Sequence, residues 1–173
     1  DGSKGCDHLF SYFSQYKKLH PSNLKLVLIG PLFMTLPKNP DILHLGVISD
    51  EDKWDGIKAA KFLIMPSPYE SYSIVTTEAL SVGTPVLVNG QCEVLMGHCD
   101  RSNGGLYYQN YAEFHECMTI LLSNKTLTDT MAMNGKRYVD THYNWDLIRN
   151  KYLGLLQRVD NLIREQSKVV LNK

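Results

Sequence analysis

The sequence predicts an α/β fold, a parallel β-sheet with helices on both faces, and three observations carry that expectation. Short apolar runs recur at 24–29, 42–47, 62–65, 86–88 and 106–108, each too brief for a helix core and each closed by turn residues. Stretches with an apolar stripe at helical spacing alternate with these runs. Finally, FLIMPSPYESYSIVTTEALSVGTPVLV, at 62–88, compresses strand, turn, helix and strand into one βαβ unit, whose strands must then run parallel.

Taken in order, Asp1-Gly-Ser-Lys-Gly5 is a polar turn leading into a helix over Asp7–Leu19, with Leu9, Phe10, Phe13, Tyr16 and Leu19 on its apolar side. Leu24–Ile29 is a buried strand ended by Gly30-Pro31, and a loop with Pro37 and Pro40 follows. Ile42–Val47 is the next strand, with His44 read as a buried, hydrogen-bonded histidine. Ser49-Asp-Glu-Asp52 starts a helix, with a cap and acids in the first turn, that reaches Ala60. Phe62–Met65 is a strand, Pro66-Ser67-Pro68 a turn, and Ile74–Val82 a helix stopped by Gly83 ahead of the strand Val86–Val88. A short segment, Cys92–His98, and a loop over Asp100–Gly105 lead to a last strand, Leu106–Tyr108. From Tyr111 the chain is helical, with core stripes of Phe114, Met118, Leu121 and Leu122 and then of Met131, Tyr138 and Val139. Asn124-Lys-Thr126 is read as the junction between those two helices. A final helix over 145–165, started by Asn144 or Asp146, carries Leu147, Ile148, Tyr152, Leu155, Leu156 and Val159, and the tail from Gln166 is expected to fray.

A chain of 173 residues is long enough for one domain that buries roughly 70% of its unfolded surface. The 18 basic and 18 acidic residues cancel, which argues against nucleic acid or an anionic membrane as the main partner. No apolar run approaches a membrane span and no signal peptide opens the chain, so a cytoplasmic protein is expected. Cys92, His98 and Cys99 can be drawn as three metal ligands, but the four cysteines show no C-x-x-C spacing, and scattered reduced thiols are the better reading.

The polar residues of the βαβ unit are placed for a ligand. In an open α/β sheet, ligands sit beyond the carboxyl ends of the strands, where 66–73 must lie. A helix starting near Ser73 or Ile74 points unpaired N–H groups and the positive end of its dipole into that crevice, which suits a phosphate. Glu78, one turn into the helix, accepts through two oxygens and suits a vicinal diol such as that of a ribose. Glu70 stands before the helix, free to reach another part of the same ligand. Together they suggest a nucleotide with something attached beyond its phosphates. An isolated pair of glutamates is most often just solvated charge on a helix surface; here the flanking residues decide otherwise.

Those flanking residues carry a resemblance. Pro66-Ser67, Glu70, seven residues, Glu78-Ala79-Leu80 and Gly83-Thr84-Pro85-Val86 together resemble the Glu-x7-Glu signature of the retaining glycosyltransferases of family 4. The resemblance implies a Rossmann-like domain, the C-terminal, donor-binding half of a GT-B fold, which transfers a sugar, of hexose type, from a nucleoside diphosphate sugar to an unidentified acceptor without a metal or other cofactor. Polysaccharide biosynthesis is the expected setting. By the same resemblance Glu70 holds the transferred sugar, Glu78 the ribose, and Lys4 of Lys4-Gly5 the diphosphate. Ser71, Tyr72, Ser73 and Ile74 face the phosphates, while Gly30 and Val47 lie where the family's backbone meets the nucleotide. Two departures stand out: Ser71-Tyr72-Ser73 replaces Gly-Phe-Gly, and Leu32 replaces the second glycine after Gly30. The family's first basic residue would lie upstream of Asp1. The chain is therefore read as a fragment of 1–173 from a longer protein, with its first strand upstream and its N-terminal domain absent, and the fragment alone is expected to be inactive. The competing readings are an epimerase or phosphorylase of the same fold, or a non-catalytic nucleotide-sugar-binding module. A glycosidase fits less well, because its two carboxylates must flank one bond, ~5–9.5 Å apart.

Overall fold

The computed structural model describes residues 2–171, with 165–171 described by their backbone alone. Among the described residues, five strands and seven α-helices follow a single 3-10 turn at Gly2–Lys4: α1 (Cys6–Leu19), β1 (Leu26–Leu28), β2 (Ile42–His44), α2 (Asp50–Ala59), β3 (Leu63–Met65), α3 (Ile74–Ser81), β4 (Val86–Asn89), α4 (Glu93–Ser102), β5 (Gly105–Tyr108), α5 (Tyr111–Ser123), α6 (Lys125–His142) and α7 (Trp145–Leu171). The chain divides into two compact units, Asp1–Tyr138 and Val139–Lys173.

Every strand pair of the first unit is parallel, as the βαβ reading requires. The strands form two ladders, β1-β2 and β3-β4-β5, where one sheet was expected. Apolar runs reveal that strands exist, but which edges exchange hydrogen bonds depends on long-range placement. In the larger ladder Leu63 lies opposite Val86, and Val86 in turn opposite Gly105. A Cβ at Gly105 would stand 2.3 Å from the Val86 carbonyl oxygen, so only glycine fits where β5 begins.

Alternation along β4 distributes the core between two faces. Leu87 joins a cluster with Leu9, Phe10, Phe13 and Tyr16 of α1, Leu26 and Ile42 of β1 and β2, and Phe114 and Met118 of α5. Its neighbours Val86 and Val88, also fully buried, point oppositely, toward the side on which α3 and α4 pack. Leu19 and Leu122, expected in the apolar stripes, are instead exposed. Leu19 is the last residue of α1, and Leu122 sits one helical step past the buried face marked by Phe114, Met118 and Leu121.

Local chemistry sets the ends. Ser49 caps α2, its Oγ accepting the Asp52 N–H at 3.0 Å. Asn124 closes α5 and opens α6, its Oδ1 accepting the Leu127 N–H, which makes the Asn-Lys-Thr segment the helix junction. Helix α4 corrects the sequence reading: it runs to Ser102, through residues taken for a loop. Leu95, His98, Cys99 and Ser102 are all buried, at helical spacing, and the stop is Asn103, left-handed at φ 48° ahead of Gly104. The regular strands β1 and β2 are shorter than expected, although beyond them the Leu45 N–H still donates to the Leu28 carbonyl and the Gly30 N–H to that of Gly46.

In the second unit α7 starts after Asn144, whose Oδ1 accepts the Leu147 N–H at 2.8 Å. The helix continues to Leu171, past both its expected end at 165 and the expected onset of fraying at Gln166; residues 172 and 173 lie outside the described ones. Ile148, Tyr152, Leu155, Leu156 and Val159 are exposed along it. Among the described residues no helix is long and apolar enough to cross a membrane.

Candidate functional site

The site is built around the turn between β3 and α3. Ser67 is fully buried and donates its hydroxyl to the Tyr69 carbonyl at 2.8 Å, which closes the turn on itself. Asn89, at the end of β4, donates to the Pro66 carbonyl at 2.9 Å and ties the turn to the sheet. Gly5 meets the same carbonyl from the other side: at φ 73° it lies so close that a Cβ would stand 2.2 Å from the Pro66 oxygen. That approach delivers Lys4 to the turn. Its Nζ stands 2.9 Å from Glu70 Oε1, so two residues 66 positions apart form one ion pair.

This pair sits in an open hollow of about 600 Å³ lined by Lys4, Pro68, Tyr69, Glu70, Ser71, Gln91, Cys92, Glu93 and Val94. Lys4 is half exposed, whereas the Glu70 carboxylate is largely shielded, at 52% and 15%. A similar hollow of about 660 Å³ lies on α5 and β5, lined by Tyr107, Tyr111 and His115 among others, and contains none of the predicted site residues.

Helix α3 begins at the other end of the turn. Ser73, left-handed at φ 64°, precedes it and makes no side-chain cap. Its hydroxyl instead pairs with that of Thr76 at 2.8 Å. Among the described residues the N–H groups of Ile74 and Val75 have no acceptor, and they carry the positive end of the helix dipole. Ile74 itself is exposed.

Glu78 faces a different cation. Lys53 of α2 approaches its Oε1 to 2.9 Å and Asp50 to 3.6 Å. The bond to Glu78, ahead of the other contributions, holds the Lys53 ammonium above the ordinary lysine range. Both side chains are mostly shielded, at 28% and 19% exposure. Sequence reasoning missed Lys53: it sits 25 positions from Glu78, and no local pattern marks it.

The remaining predicted residues form a third group. The Gly30 N–H donates to the Gly46 carbonyl at 2.8 Å, which brings Gly30 beside Val47; Val47 is 78% exposed. Neither lines the hollow around Glu70. His44 donates to the Gly30 carbonyl at 2.7 Å and is half-buried rather than buried.

The Cys92-His98-Cys99 set does not converge. The Cys92 thiol faces the Glu70 carbonyl and the Cys99 thiol that of Leu106, while both ring nitrogens of His98 are occupied, by Tyr72 and Tyr138. Burial pushes the Cys99 thiol up to about 12, so it stays protonated at neutral pH.

Chemically, the arrangement offers two shielded carboxylates in separate ion pairs, one exposed ammonium, and a helix N-terminus with free donors between them. That set suits an extended ligand with hydroxyls at both ends and an anionic middle.

Comparison with known proteins supplies the family. The family model described as glycosyl transferases group 1 matches residues 1–138. An uncharacterized glycosyltransferase of Methanocaldococcus jannaschii is 27% identical over 158 residues, covering 84% of this chain and 39% of the relative. Glycosyltransferase 1 domain-containing protein 1 of Xenopus tropicalis is 24% identical over 161 residues, covering 86% and 45%. The chain thus spans less than half the length of these relatives. Among solved structures, sucrose-phosphate synthase of Thermosynechococcus elongatus superposes with a TM-score of 0.77 at 22% identity, covering 94% of this chain and 44% of that one. HepE of Anabaena in complex with UDP gives 0.77 at 18% identity, covering 91% and 46%.

Proposed function

Since the chain belongs to the family of glycosyl transferases group 1, we propose that it is the donor-binding part of a retaining glycosyltransferase of family 4, acting on a nucleoside diphosphate sugar. The observation that carries this reading is the juxtaposition of the Lys4–Glu70 pair with the free N–H groups of α3, with Glu78 held apart by Lys53. Glu78 takes the ribose diol through its carboxylate, and the diphosphate lies across the N-terminus of α3. The transferred hexose reaches Glu70 in the hollow beside Ser71. Gly30 and Val47 border the base. HepE, whose fold this chain shares, was solved with UDP, and also with UDP-glucose, which agrees with such a donor.

In the transfer, the bond from the sugar's anomeric carbon to the diphosphate oxygen breaks and one to an acceptor hydroxyl oxygen forms, while the acceptor's proton passes to the departing diphosphate. Negative charge accumulates on the departing diphosphate. Lys4 and the dipole of α3 offset it, so the reading needs no metal. The Lys4–Glu70 pair is no obstacle: with its cation half exposed, it is worth only about 0.2–1 kcal/mol, less than the charge-assisted bonds a diphosphate offers. Lys4 can therefore leave Glu70 for the phosphates, freeing the carboxylate for sugar hydroxyls.

The two separate ladders and the partial coverage of relatives support a longer protein, in which an upstream strand joins the ladders and an N-terminal domain supplies the acceptor side. A thermal-shift screen of nucleoside diphosphate sugars on that longer protein, followed by NMR of the product's anomeric configuration, tests the reading. One donor should raise the melting temperature and its sugar should keep its configuration. Inversion, or no response to any donor, would contradict it.

A further inference from the structure

Ser73 is one of two non-glycine residues with positive φ among the described residues, and unlike Asn103 its side chain has no special ease there. It is also buried. Something outside the turn must hold this peptide, and the neighbouring carbonyl shows what does. His98 of α4, 1% exposed, places Nε2 at 2.8 Å from the Tyr72 carbonyl, and the Tyr72 ring stands edge-on to the imidazole at 5.4 Å.

The direction of these bonds follows from chemistry. A carbonyl only accepts, so Nε2 carries the hydrogen. Burial, reinforced by the positive charge of Arg101, keeps the ring neutral against the raising effect of the Tyr72 bond, which leaves Nδ1 as an acceptor. Nδ1 lies 3.2 Å from the Tyr138 hydroxyl, which therefore donates to it, and that oxygen accepts the Arg101 Nε–H at 3.3 Å. The relay runs one way, from Arg101 through Tyr138 and His98 to the Tyr72 carbonyl.

We propose that His98 is a positioning residue for the diphosphate site. Its Nε2–H fixes the Tyr72–Ser73 peptide, which keeps Ser73 left-handed and the first N–H groups of α3 turned outward. This rests on the reading of the α3 N-terminus as the diphosphate site. The Ser73–Thr76 hydroxyl pair assists from within the turn, but it cannot set the orientation of the Tyr72 carbonyl.

The test compares His98→Leu, Tyr138→Phe, Ser73→Gly and the His98→Leu/Ser73→Gly double variant by amide hydrogen exchange. The same proteins are then titrated with whichever of UDP, GDP and ADP binds the parent most tightly, and with its nucleoside. Loss of the bond should speed exchange over residues 71–77 about fivefold to tenfold, leaving β4 and β5 unchanged. Diphosphate affinity should fall by a similar factor while that for the nucleoside stays within about twofold. Glycine at 73 takes the left-handed conformation without strain, so the double variant should recover most of both losses. Unchanged exchange at 71–77 in His98→Leu, or a common loss for nucleoside and diphosphate with no recovery by glycine, would overturn the proposal. If His98→Leu does not fold, Tyr138→Phe must show a smaller acceleration confined to 71–77, and its absence overturns the relay. Faster exchange with glycine rescue, in a protein whose parent binds no nucleoside diphosphate, supports the positioning role and defeats the site reading alone.

Discussion

Two lysine–glutamate pairs, each at 2.9 Å, flank the turn and helix α3, and they are built in opposite ways. Lys4 comes from a single 3-10 turn, is half exposed, and reaches Glu70 beside a Gly5 that is pressed against Pro66. Lys53 comes from the first turn of a capped helix, is largely shielded, and is braced by Asp50 as well as by Glu78. The first pair is a cation that can change partners, and the second a carboxylate that is held still. On the proposed donor reading, exposure and anchoring distinguish the end of the site where charge moves from the end where the ligand is only gripped.

The largest effect should come from Gly5→Ala. A left-handed alanine costs about 1–2 kcal/mol, and overlap with the Pro66 carbonyl adds about 1–3 kcal/mol. Thermal unfolding should show the loss, and diphosphate affinity should fall with it, while nucleoside affinity at the Glu78 end survives. Next, Lys4→Ala should weaken a nucleoside diphosphate by about 1.5–3 kcal/mol and leave the nucleoside nearly unaffected. Equal losses in calorimetry would make Lys4 a support of the turn rather than a phosphate ligand.

Lys53→Met should weaken nucleoside and diphosphate alike, by about 0.5–1 kcal/mol, a figure discounted for the partial exposure of the pair. The sign with pH follows from the raised Lys53 pKa: the contribution is complete below the ordinary lysine range and disappears as pH rises through the folded value. Affinity should therefore be flat in pH on this account from 6 to about 9. The smallest effect is none: exhaustive chelation should leave donor binding unchanged, and a loss reversed by a divalent cation would show that Lys4 and α3 do not suffice.

The stretch from β3 to β4 was legible because its signals are local. An apolar run, a Pro-Ser-Pro turn, a helix stopped at Gly83 and a second run set the architecture, and the spacing from Glu70 to Glu78 supplied candidates. The contacts of Lys53 with Glu78 and of His98 with Tyr72 were not legible, because the partners lie far away in sequence and a lone lysine or histidine has no periodicity. Even Lys4 and Glu70, both singled out in advance, were given separate tasks; only the fold shows that they meet. The end of α4 was misread for a related reason: Asp100, Arg101 and Ser102 look like turn residues, yet burial of Cys99 and Ser102 carries the helix through them.

The division of labour between the two glutamates is tested most directly by calorimetry of Glu70→Gln and Glu78→Gln in the longer protein proposed above, with a bare nucleoside diphosphate and with the same diphosphate carrying its sugar. The amide keeps the size and replaces one acceptor with a donor. Glu78→Gln should weaken both ligands equally, by about 1–3 kcal/mol, because both carry the ribose. Glu70→Gln should leave the bare diphosphate within about twofold and reduce sugar transfer more than donor binding. If Glu70→Gln damages the bare diphosphate as much as Glu78→Gln does, the two carboxylates grip the same end of the ligand and the account is wrong.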